Sequence, residues 1–118
     1  MSLQQGLAAE RLARDYLLKQ GLVWRESNYR AQMGEIDLIM QDHDYLVFVE
    51  VRARCSDVFG GAIESITALK RRKILNTAAA YIQRYRLQAQ YMSRFDVLVL
   101  QGQPATIDWI PNAFGADF

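Results

Sequence analysis

The apolar positions of the chain change their spacing several times, and each change marks an element. Over residues 3–20, Leu3, Leu7, Leu17 and Leu18 share one helical stripe, and Gly21 stands just past its end. Residues 22–30 read as a strand. Residues 35–40 and 46–52 alternate, and the polar stretch Gln41-Asp42-His43-Asp44 between them predicts a hairpin. Residues 53–66, with Cys55, Ser56, Asp57 and the Gly60-Gly61 pair, read as a loop. Thr67 can cap a long helix over 68–86, whose apolar positions include Leu69, Leu75, Ala78, Ala79 and Ile82. Residues 94–100 and 106–110 read as two more strands around Gly102-Gln103-Pro104. The order α-β-β-β-α-β-β predicts an α/β fold, one mixed sheet flanked by helices. The length of 118 residues suits a single domain over 1–118.

Three acids fall where a carboxylate is costly. At 100° per residue, Glu10 lies within about 20° of Leu3 and Leu17 on the first helix. It should therefore sit near the middle of an apolar stripe, where a carboxylate needs a cation, hydrogen bonds or a proton. A two-residue turn at His43-Asp44 pairs Asp42 with Tyr45, Ile39 with Phe48, Asp37 with Glu50 and Glu35 with Arg52. One face of the hairpin would then carry Asp37 beside Glu50. The other would carry Ile36, Leu38, Val47, Val49 and Val51 as core. Like charges directly opposite destabilise a hairpin, and a divalent cation would offset the repulsion. Oxygen ligands alone favour Mg²⁺ or Mn²⁺ over zinc. In the plainer alternative, Glu35–Arg52 is a cross-strand salt bridge and Asp37 or Glu50 caps a turn or pairs with an arginine.

Charge adds a second theme. The net charge is only +1. Yet residues 1–51 hold five Arg/Lys and eight Asp/Glu, and residues 52–94 hold nine Arg/Lys and two Asp/Glu. Acids and cations are segregated, as a site gripping both a cation and a phosphate backbone requires. Lys70-Arg71-Arg72-Lys73 fills the first turn of the second long helix, so one or two of these residues would flank the polar face of the sheet. Lys70 and Arg71 are candidate phosphate contacts, with Arg52 and Arg54 at the end of the hairpin strand. A solvated helix face is the plainer alternative.

Other chemistries find less support. His43 is the only histidine and falls in the predicted turn, which argues against a nucleophilic pair or a histidine-rich zinc site. Cys55, the only cysteine, lies near Arg52 and Arg54 but has no visible base partner. A single cysteine excludes an internal disulfide and fits a cytoplasmic protein. No signal peptide, membrane span, Walker loop or dinucleotide fingerprint is visible.

Several segments together resemble one known family. They are the Gly6…Glu10 opening, Asn28-Tyr29-Arg30, Gly34-Glu35-Ile36-Asp37-Leu38-Ile39, Val47-Phe48-Val49-Glu50-Val51-Arg52, Lys70-Arg71-Arg72, Arg94-Phe95-Asp96-Val97 and Asn112-Ala113-Phe114. They look like the bacterial YraN-like family, described as predicted endonucleases. That family is similar to archaeal Holliday-junction resolvases and other PD-(D/E)xK proteins. The resemblance implies a restriction-endonuclease-like α-β-β-β-α-β core and metal-dependent hydrolysis of DNA, branched or junction DNA included. It implies a site at Glu10, Asp37, Glu50 and residue 52, with Mg²⁺ or Mn²⁺ on Asp37, Glu50 and Glu10, and a homodimer by analogy with dimeric resolvases. This chain departs at Arg52, where the family usually has lysine, and the departure bears on turnover rather than on nucleic-acid binding. The alternatives are a catalytically impaired nucleic-acid-binding module on the same fold, or a protein-interaction domain using a sheet edge.

Overall fold

The hydrophobic pattern resolves into two helices and five strands. The computed structural model describes residues 3–54 and 66–115. Helix α1 is Leu3–Lys19, followed by β1 Val23–Ala31, β2 Gly34–Asp42 and β3 Tyr45–Arg54. Helix α2, Ala68–Tyr85, leads to β4 Met92–Gln101 and β5 Thr106–Phe114. Element order and type follow the sequence reading. Most of the predicted loop, residues 55–65 with Cys55 and the glycine pair, lies outside the described residues.

The strands form one sheet in the order β1-β2-β3-β4-β5. Only β3 and β4 are parallel, and α2 is the crossover between them. Both faces of the sheet are buried. Ile74, Ala78 and Tyr81 of α2 pack with Ile39, Phe48, Phe95 and Val97 on one face. Ala9, Ala13 and Leu17 of α1 pack with Leu38, Met40, Val47, Val49 and Leu98 on the other. No helix among the described residues is long and apolar enough to cross a membrane.

The stripe that α1 buries differs from the predicted one. Ala9, Ala13 and Leu17, spaced every four residues, face the sheet, while Leu7 and Leu18 are 45% and 43% exposed. Glu10 is only partly buried, at the margin of this alanine stripe rather than at the centre of a leucine one. The longer leucines suit the outer flank because small residues let a helix lie close to strands.

The hairpin register is as predicted from the turn to Leu38–Val49, but the predicted pairs Asp37–Glu50 and Glu35–Arg52 lie past the end of the ladder. Asp42 pairs with Tyr45, Ile39 with Phe48 and Leu38 with Val49 around a turn in which His43 takes φ 55°. Ile36 is a correction, since it belongs with Ile39 and Phe48 on the α2 face and not with Leu38 and Val49. The faces exchange at Asp37, opposite Asn28 of β1, whose backbone is left-handed (φ 53°). The β1–β2 ladder pairs Ser27 with Leu38 and Tyr29 with Ile36 but skips the Asn28–Asp37 position.

Helix α2 is placed by its ends and by one glycine. Thr67 Oγ1 accepts a hydrogen bond from Lys70 N at 3.2 Å, which caps the helix as expected. A Cβ at Gly34 would lie 3.1 Å from Thr77 Oγ1 and 3.3 Å from Lys73 Cβ. Glycine there lets α2 press onto the start of β2, which brings the first turns of α2 over the strand that carries Asp37.

Candidate functional site

The sheet opens where the acids lie. The β2–β3 ladder ends at Leu38–Val49. Before that point β2 runs on beside β1 alone, through Gly34, Glu35 and Ile36. Beyond it β3 runs on beside β4 alone, from Glu50 to Arg54. The two strands part like the prongs of a fork, with Asp37 on one and Glu50 on the other. Asp37 bridges the gap with its side chain, because Val51 N donates to Asp37 Oδ2 at 2.9 Å.

A pocket of about 170 Å³ lies at this fork, lined by Gly34, Glu35, Asp37, Glu50, Lys70, Lys73 and Ile74. Glu50 is buried, and Lys70 Nζ lies 2.9 Å from its Oε1. Arg52 Nη2 is 3.8 Å from the same oxygen. Glu10 reaches the group from α1. It repels Asp37 and Glu50, and Asn28 and Asp37 lie within hydrogen-bonding reach of its carboxylate. Its Oε2 is buried and has no hydrogen-bond partner.

Electrostatics record the crowding. Burial first, and then the neighbouring charges of Glu50 and Glu10, push the Asp37 carboxyl up to about 7 against the lowering influence of the Val51 amide and Lys70. Glu10 is also raised, first by burial and then by the Glu35 and Glu50 charges, although Asn28 holds it down. A proton or a cation relieves such a group, and perturbed carboxyls of this kind mark functional sites more often than chance. Among the described residues, however, no three His, Cys, Asp or Glu side chains stand close enough together to form a ready metal-ligand set.

The sequence-derived candidates thus separate. Asp37 and Glu50 converge as predicted, and Glu10 and Lys70 join them. Glu35 and Arg52 do not pair, because the strands have already parted. Glu35 pairs instead across β1–β2 with Arg30, at 3.6 Å. Arg71 is absent from the pocket lining, and its guanidinium lies over the Phe114 ring, 5.8 Å from the centroid. The Arg54 side chain lies outside the described residues. Lys73 was not singled out, although its spacing of three from Lys70 places both on one helix face.

A further buried acid, Asp96 on β4, lies in a segment that the sequence marks only through the family resemblance. It is fully buried, and its oxygens accept from Arg94 Nε and Nη2 at 3.0 Å each, Trp109 Nε1 at 2.9 Å and Asn112 N at 2.9 Å. The Arg94-Phe95-Asp96-Val97 and Asn112-Ala113-Phe114 segments meet here, in a separate network on β4 whose Asp96 pairs with Val49 at the last rung before the fork. An acid inside the apolar run Phe95–Leu100, two residues from an arginine, was the available signal.

Comparison with known proteins covers the same ground. The chain is 45% identical over 116 residues to a UPF0102 protein of Legionella pneumophila (strain Philadelphia 1), covering 98% of each chain. It is 47% identical over 114 residues to a UPF0102 protein of Methylobacillus flagellatus, covering 96% of this chain and 98% of the relative. A UPF0102 protein of Nitrosomonas europaea is 45% identical over 111 residues, covering 93% of this chain and 92% of the relative. The model of the uncharacterised protein family UPF0102 matches residues 9–100, a span that includes Glu10, Asp37, Glu50, Lys70 and Lys73. With the YraN-like segments lying along its strands and helix starts, the chain belongs to the UPF0102 family.

Proposed function

We propose that this protein is a metal-dependent endonuclease that hydrolyses DNA phosphodiester bonds, with branched or junction DNA the first substrate class to test. The observation that carries the reading is the meeting of Asp37 and Glu50 at the open fork, next to a Glu10 oxygen that is buried without a partner. Carboxylate oxygens alone suit a hard cation. Two carboxylates, without a closed set of three, suit Mg²⁺ or Mn²⁺, which keep several waters and take further oxygens from a substrate phosphate. Such an ion supplies Lewis acidity at the phosphate and a more acidic water.

The residues of the chain divide the remaining work. Asp37 and Glu50 would hold the ion, and Glu10 would steady it through water. Arg52, whose side chain is 27% exposed, meets the scissile phosphate and stabilises charge developing there. Lys70 and Lys73 line the same pocket and neutralise neighbouring phosphates. Arginine stays protonated, so Arg52 cannot take a proton from water as a neutral lysine could.

That same arginine favours a second reading, a binding module of impaired catalysis. The two readings part in one experiment. Purified protein is incubated with four-way junction, flap, single-stranded and duplex oligonucleotides, with and without Mg²⁺ or Mn²⁺. The nuclease reading expects metal-dependent cleavage that Asp37→Asn abolishes. Cleavage by Arg52→Lys alone keeps the site but assigns the natural chain to the second reading. DNA binding that ignores metal and Asp37→Asn, weakens in Lys70→Ala and leads to no cutting by any variant overturns the nuclease.

A further inference from the structure

The position of Lys70 carries one step more, and that step rests on the metal reading above. Glu50 is the most enclosed carboxylate at the fork, its side chain 6% exposed, and two cations address its Oε1. They differ in kind. Arg52 projects from strand β3 with a planar guanidinium, lies 3.8 Å away and has a buried Nε. Lys70 carries a point charge on a flexible four-carbon stem, lies at 2.9 Å and keeps 42% of its side chain exposed. Its helix has little else to offer an anion at this point, because the Lys70 amide is already taken by Thr67 Oγ1 and the Arg71 amide by Thr67 O.

An ion held by Glu50 and Asp37 would stand about 2 Å from a carboxylate oxygen. Its double charge and an ammonium at 2.9 Å from that same oxygen would repel each other strongly. We infer that Lys70 and the divalent cation compete for Glu50, so that loading the ion drives the Lys70 ammonium off Glu50 and out toward the substrate phosphate beside Lys73. Lys70 is then a positioning residue with two stations. On Glu50 it offsets the crowded acids, as its lowering influence on Asp37 indicates. Displaced, it adds a positive charge to the mouth of the pocket only when an ion is in place. Metal and DNA would therefore bind with positive coupling beyond that from the phosphate oxygens the ion itself takes. Linkage makes that coupling reciprocal.

Calorimetric titration of Mn²⁺ tests the competition without reference to turnover. The proteins compared are wild type, Lys70→Met, Lys73→Met and Asp37→Asn, each checked for folding by thermal melt. Lys70→Met is expected to bind Mn²⁺ with a Kd roughly ten-fold lower than wild type, because a cation next to the ion has been removed. Lys73→Met, with no contact to Glu50, is expected to change it less. In Ca²⁺, affinity for a short duplex should rise with metal in wild type, and this gain should shrink in Lys70→Met. Mn²⁺ binding that is equal or weaker in Lys70→Met leaves the metal site standing and overturns the competition. Mn²⁺ binding absent from wild type and Lys70→Met alike, or unaffected by Asp37→Asn, overturns both.

Discussion

Asp37 and Asp96 stand in the same kind of place and meet different fates. Each lies in an apolar strand, and each faces an outer strand whose asparagine, Asn28 or Asn112, takes a left-handed backbone with φ 53°. At Asp96 four donors meet the four acceptor positions of the carboxylate, and Arg94, which also reaches Asp42 at 3.2 Å, cancels the charge. At Asp37 the one donor shown is the Val51 amide, and the near charges are two more acids offset only in part by Lys70. A buried acid with all its donors belongs to the architecture. A half-buried acid crowded by its own kind, with a single lysine to offset the charge, has room for a cation, and that is the mark of a site.

The comparison breaks most visibly at Asp96. Asp96→Ala leaves the largely buried Arg94 with Asp42 alone and Trp109 Nε1 without its acceptor, and unfolding by denaturant should show a loss of about 3–5 kcal/mol. A loss near zero would mean that the network is not structural. At the fork the sign should reverse. Burial and the neighbouring acids push the folded Asp37 carboxyl from 3.8 up to about 7, so over that range the folded chain keeps a proton that the unfolded chain has released. Stability without metal should therefore fall as pH rises through that window. Asp37→Asn keeps the acceptor for Val51, flattens the fall and should raise stability at pH 8 by roughly 2–4 kcal/mol. An unchanged pH profile would mean that the acids do not crowd one another. Glu10→Gln should act in the same direction but more weakly, by under about 1 kcal/mol, since solvent screens its partly exposed carboxylate. Melts across pH 5 to 8 would rank all three variants.

Much of this contrast was legible in the sequence, and what was missed has physical reasons. The two-residue turn between Asp42 and Tyr45 fixes the hairpin register, so the approach of Asp37 to Glu50, just past the last rung, could be counted out along the strands. The parting of those strands could not. It depends on β3 continuing along β4 and on the backbone of Asn28, neither of which leaves a periodic signal. Glu35 and Arg52 were therefore matched across a gap, and Ile36 was given to the wrong face. On α1 the leucines outweighed the alanines in apolar character, yet close packing against strands selects the smaller residues. Asp96 was overlooked because the nearby apolar run fitted a strand so well that its single acid drew no question.

The side-chain rung between Val51 and Asp37 has one more implication. Backbone ladders have fixed spans, but this crossbar is made of a group that can gain a proton or turn toward an ion. The width of the cleft between the prongs is then tied to the chemical state of one carboxylate. Amide exchange at Val51 would report that state from within the sheet, slowing or quickening as the crossbar is held or released.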